Sequence, residues 1–130
     1  MWYPETRAIE ILNRTLPLPA SGREKDWDIE LSDYNRIDEL IRFYRLRCID
    51  FDVKMALAAL IISSFEDSKW DGKFDIDRWR EALHLFVSDF KIVDPVLQKW
   101  IGDGPEGDFA ISEEIRRLRA LALGDVNEQK

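Results

Sequence analysis

The stretch "MALAALII", residues 55–62, carries no polar side chain. A helix with one apolar stripe can lie on a surface, but one that is apolar all round must be enclosed by neighbours. Asp50 or Asp52 stands just ahead as a candidate cap, because a carboxylate there accepts the first free amides of a helix. A helix from Val53 to about Glu66, centred on residues 53–65, is therefore predicted as the middle of the fold. Its apolar run is far too short to span a bilayer.

The remaining segments read as elements that can surround it. Residues 5–14 follow Pro4, a favoured first-turn residue, and set Ile9, Leu12 and Leu16 near one face. The prolines and glycine of "LPLPASGREKD" then make a loop. A second helix opens at Ser32 or Asp33 and runs to about Arg47. Along it Tyr34, Ile37, Leu40, Ile41, Tyr44 and Cys48 recur at three- and four-residue steps. Its Asp38, Glu39, Arg42 and Arg45 read as a solvated face. A further helix over residues 77–91 sets Trp79, Ala82, Leu83, Phe86, Val87 and Phe90 on one stripe. Asp94 before Pro95 signals a new helix start, with Val96, Leu97, Trp100 and Ile101 as its apolar side. After the loop "GDGPEGD", Ser112, Glu113 and Glu114 open a last helix, acids toward its positive end, that Gly124 ends. Residues 124–130 should fray.

The expected fold is all-α: a compact single-domain bundle of five or six helices around a buried central helix, spanning residues 1–130. A chain of 130 residues is long enough to bury a real core without staples. Two short alternations, Trp27/Ile29/Leu31 and Phe74/Ile76, leave room for a minor strand pair.

Catalytic chemistry finds little to use. The chain has one histidine, His84, and one cysteine, Cys48, with no glycine-rich support for a nucleophile. No Cys/His cluster has zinc spacing, and no glycine-rich loop cradles phosphate. Glu81 and His84 match the Glu-x-x-His spacing of di-iron helices, but the second copy such a site needs is missing. In "DSKWDGKFDIDR", starting at Asp67, Asp71, Gly72 and Asp75 fall where an EF-hand loop needs them. Lys69 and Arg78 occupy its third and twelfth positions, where ligands belong. No enzyme activity, cofactor or metal is expected. The lone cysteine excludes an internal disulfide framework and fits a reducing compartment. The N-terminus lacks the basic start and apolar run of a secretion signal. A cytoplasmic protein is expected.

What remains is charge and aromatic placement. The formal net charge is −7, and residues 49–112 alone hold a balance of −6. A negative field repels phosphate backbones and anionic lipid and attracts basic partners. The expected partner is a basic protein, not nucleic acid or membrane; the oligomeric state is left open. Asp67, Asp71, Asp75 and Asp77 crowd one connection around Trp70, and Asp103, Glu106 and Asp108 form a second acidic loop beside Phe109. These carboxylates and Trp70 are the candidate partner-binding residues. An exposed aromatic supplies affinity and an acidic rim steers a basic partner. Trp27 and Trp70 both fall in expected loops, either tucked back or exposed as anchors.

The segment "DRWREALHLFVSDFKIVDPVLQKWIG", followed by "GDFAISEEIRRL", resembles small acidic bacterial immunity proteins of toxin–immunity systems. In these, a Trp-bearing amphipathic helix precedes a short helix ending in an aromatic, then a loop and a Ser- or Thr-capped helix with Arg. Trp79, Leu83, Trp100, Phe109, Ser112, Ile115 and Arg116 carry the likeness, over residues 77–119. The resemblance implies a protein that neutralises a toxin, often a nuclease with a basic cleft, by covering its site with an acidic patch. It supplies no contact motif. The alternative is a small helical regulatory or scaffolding protein with an apolar, homo-oligomeric interface.

Overall fold

The computed structural model describes residues 2–47, 50–102 and 108–124. In it the apolar run lies inside a 20-residue helix, α4 (Phe51–Trp70), which has α1 (Thr6–Thr15), α2 (Trp27–Glu30), α3 (Ile37–Arg47) and α6 (Phe90–Lys99) packed around it. The other two helices, α5 (Ile76–Ser88) and α7 (Ser112–Ala122), pack on each other and against α6, while α5 also meets α3. Every residue of α4 from Ala56 to Glu66 is buried. Each large side chain so enclosed, Leu57, Ile61 and Phe65 among them, contributes about 2 kcal/mol relative to exposure. Asp50 caps α4: its Oδ1 accepts the amides of Asp52 at 2.9 Å and Val53 at 3.2 Å. The buried serines are satisfied within the bundle. The Ser64 hydroxyl donates to the Leu60 carbonyl at 2.8 Å and accepts the Asp33 amide at 3.0 Å.

The all-α bundle around a central helix is as the patterning predicts, with seven α-helices among the described residues in place of five or six. The extra element is α2. Its Trp27/Ile29 alternation is one helical turn, not a strand; Trp27 is buried and its Nε1 donates to Asn13 Oδ1 at 2.9 Å. Asp28 is also buried there, paired with Lys99 of α6 at 3.1 Å. Phe74 and Asp75 lie between helices, and Ile76 and Asp77 begin α5. There is no strand among the described residues.

The helix expected over residues 77–91 ends at Ser88, and the next begins at Phe90 and not at Asp94. Asp89 stands between them, with its carboxylate accepting from the Tyr44 hydroxyl at 2.8 Å and from Lys54 Nζ at 2.9 Å. These contacts fix the bend where local periodicity would continue the helix. Pro95 then lies within α6 and does not open it. Asp94, expected as a cap, instead takes an ion pair from Arg119 of α7 at 2.9 Å. Gly124 follows the end of α7 at a φ of 86°, the left-handed stop its position suggests. Cys48 and residues 125–130 lie outside the described residues.

Candidate protein-binding surface

The acidic connection between α4 and α5 is built by two helix termini. α4 runs through Trp70, and Asp71 follows as its last half-helical residue. Gly72 turns with φ 69°, and the Gly72 amide donates to Lys69 O at 3.3 Å and the Lys73 amide to Ser68 O at 2.7 Å. This bond pair defines a Schellman ending, which a glycine adopts at least cost. Four residues after Trp70 the chain turns inward. Phe74 meets Phe65 with ring centroids 5.9 Å apart and Trp79 with centroids 6.5 Å apart. Asp75 then caps α5, its Oδ1 accepting the amides of Asp77 at 3.0 Å and Arg78 at 3.2 Å. Phe74 before that cap and Trp79 one turn inside form a hydrophobic staple.

The aspartates of this connection therefore do different things. Asp75 is structural. Asp77 is exposed and within 3.8 Å of Arg80. Asp67 and Asp71 face the turn that precedes α3: Asp67 accepts from the Ser32 hydroxyl, and Asp71 accepts from the Tyr34 hydroxyl at 2.9 Å. Asp33 joins them, its Oδ1 accepting the Asn35 amide at 2.9 Å. The hydrogen bond to Asp71, then desolvation, then the negative charges of Asp71, Asp33 and Asp67 raise the Tyr34 pKa above its ordinary value. These three carboxylates receive their hydrogen bonds from hydroxyls and one amide, not from a lysine or arginine. With Asp67 on the last turn of a helix and the Asp75 carboxylate spent on amides, the calcium-loop residues do not converge on a common centre.

Trp70 belongs to α4, not to a loop, and is 74% exposed. Its Nε1 donates to Glu66 Oε2 at 2.8 Å. Glu66 is only 8% exposed, and it also accepts the amides of Ala110 at 3.1 Å and Ile111 at 2.8 Å. One carboxylate thus orients the indole and holds the turn before α7. Beside that turn Phe109 is partly exposed and rests on Trp100, ring centroids 4.7 Å apart. Ser112 ties the same corner: its hydroxyl accepts the Phe109 amide at 2.8 Å and donates to Trp100 O at 2.9 Å.

Asp108 is paired with Arg116, its two oxygens 3.1 and 2.8 Å from the guanidinium. Asp103 and Glu106 lie outside the described residues. The structure thus brings Asp67, Trp70 and Asp71 together and keeps Asp75, Asp77 and Asp108 apart in role. Asp33, Tyr34 and Glu66 complete the surface; Asp33 is one of the two caps the sequence offers there and does cap the turn before α3, while no contact role for Tyr34 or Glu66 stood out in the sequence. Tyr34 reads there as part of the apolar stripe of α3. Glu66 carries the clearest missed signal: a carboxylate continuing an apolar helix, four residues before a tryptophan.

His84 is exposed on α5, and Cys48 lies outside the described residues. Among the described residues no group of three Asp, Glu, His or Cys side chains is arranged to hold a metal ion, and no helix is long and apolar enough to cross a membrane. Compared with family models, curated proteins and solved structures, the chain matches none.

Proposed function

We propose that this chain is a non-catalytic protein-binding module that captures a basic protein, most concretely a cytoplasmic immunity protein that covers the basic site of a bacterial toxin. Trp70 is the centre of the contact, and Asp67, Asp71 and Asp33 form its acidic flank. One observation carries the reading: a tryptophan that is 74% exposed at the end of the most buried helix, near Asp67 and Asp71, whose hydrogen-bond partners within the chain are uncharged hydroxyls. Large aromatics beside steering charge are the usual composition of an interface hot spot. Trp100, Phe109 and Ser112, three of the residues that carry the likeness to immunity proteins, meet in one corner.

The reading is tested by co-expression with the protein encoded immediately upstream. A growth-inhibiting product silenced by this chain, and no longer silenced by its Trp70→Ala variant, is the expected result. Protection that persists undiminished in Trp70→Ala would move the interface elsewhere. A product that neither harms growth nor binds this chain would remove the immunity reading.

A further inference from the structure

Trp70 is an exposed apolar surface with a buried anchor. The Glu66 carboxylate that accepts its N–H at 2.8 Å is itself held by the Ala110 and Ile111 amides. A ring fixed in this way loses little further freedom when another group lies on its face, so contact there is preorganised. The face of an indole is also the best aromatic seat for a cation.

The neighbouring charges say which cation. Asp67 precedes Trp70 by three residues and Asp71 by four, and side chains at those spacings adjoin on a helix surface. Asp67 and Asp71 are held in place by the Ser32 and Tyr34 hydroxyls, which leave their charge uncancelled. An ammonium group would satisfy that charge as a point. A guanidinium does more: it stacks flat on an aromatic ring while donating N–H groups in its own plane to carboxylates. Resting on the binding reading above, we infer that the partner's central contact is an arginine, its guanidinium flat on Trp70 and its N–H groups donated to Asp67, with Asp71 one turn beyond Asp67 adding to the charge that draws it. A second copy of this chain, also at −7, fits the flank poorly.

Hexa-arginine and hexa-lysine peptides separate the possibilities, with titration calorimetry as the readout for the parent and every variant. The arginine peptide should bind about two- to fivefold more tightly. Trp70→Leu should abolish that preference while leaving residual binding to both peptides, and Asp67→Asn with Asp71→Asn should weaken both. If Trp70→Leu is poorly folded, Trp70→Phe, which keeps an aromatic face, must still prefer arginine. Equal affinities, or a preference that survives in Trp70→Leu, overturn the arginine inference and leave a charge-steered interface standing. No binding by either peptide removes both. A homodimer dispersed by Trp70→Leu also overturns the inference, because the indole is then already occupied.

Discussion

Glu66 decides how the end of α4 meets the start of α7. Its two oxygens take three N–H groups: the Trp70 indole and the amides of Ala110 and Ile111. Hydrogen bonds to a charged acceptor are stronger than neutral ones, and a buried donor left without a partner costs more than the bond it lost. Glu66→Ala should therefore destabilise the fold by about 3 kcal/mol in urea unfolding. Glu66→Gln keeps one carbonyl oxygen, which in the Oε2 position still accepts the indole and the Ala110 amide while the Ile111 amide loses its partner. It should cost about 2 kcal/mol, less than the Ala change. An Ala variant as stable as the parent would remove Glu66 from this role. At this scale the sequence is legible only in part. That a tryptophan beside aspartates is exposed can be entertained from Trp70 and from Trp27 alike. Their fates differ because Trp27 finds Asn13 Oδ1 fourteen residues away and a covering core, neither of which leaves a local trace.

At the scale of elements, local signals succeed and distant ones fail. The central helix, a carboxylate cap at Asp50 or Asp52 and the stop at Gly124 follow from periodicity and terminal chemistry within a few residues. The break between α5 and α6 does not. The partners that hold Asp89 are Tyr44 and Lys54, 45 and 35 residues away, while the Asp94–Pro95 pair that does look like a start is drawn into α6 and toward Arg119. The connection from Asp71 to Asp75 lies between these cases. Its glycine turn is legible, but which aspartate caps α5 is settled only by geometry. That division can be measured. Asp75→Ala removes the acceptor for the Asp77 and Arg78 amides and should lower stability by about 1 kcal/mol. Asp77→Ala removes only a first-turn acid with a distant arginine and should cost a few tenths, about 0.3 kcal/mol. Equal losses in thermal or urea unfolding would mean that the capping role is shared.

For the whole molecule, the described acids in the middle of the chain do not form one continuous face. Asp50 pairs with Arg7, Asp89 with Lys54, Asp94 with Arg119, Asp108 with Arg116, and Glu81 with Arg45 and Arg78. A count by segment overstates the field because folding brings bases from both ends of the chain onto those acids. Around Trp70, Asp67 and Asp71 have no cationic partner and Asp33 faces only the charge of Arg36, and these three predict where steering originates. Changing these three together to Asn preserves side-chain oxygens that can accept from Asn35, Ser32 and Tyr34, so the fold should hold. The association rate with a basic partner should then fall at least tenfold at low salt, and its dependence on ionic strength should flatten, since exposed charges act over about 10 Å at 0.1 M salt and about 3 Å at 1 M. Changing Asp50, Asp94 and Asp108 to Asn removes the same formal charge from groups already answered by arginines. That triple variant should lose stability, yet keep most of the salt dependence of the rate. Stopped-flow association from low to high salt distinguishes the two. If both triple variants flatten the salt dependence equally, steering follows net charge, and the surface around Trp70 has no special part in it.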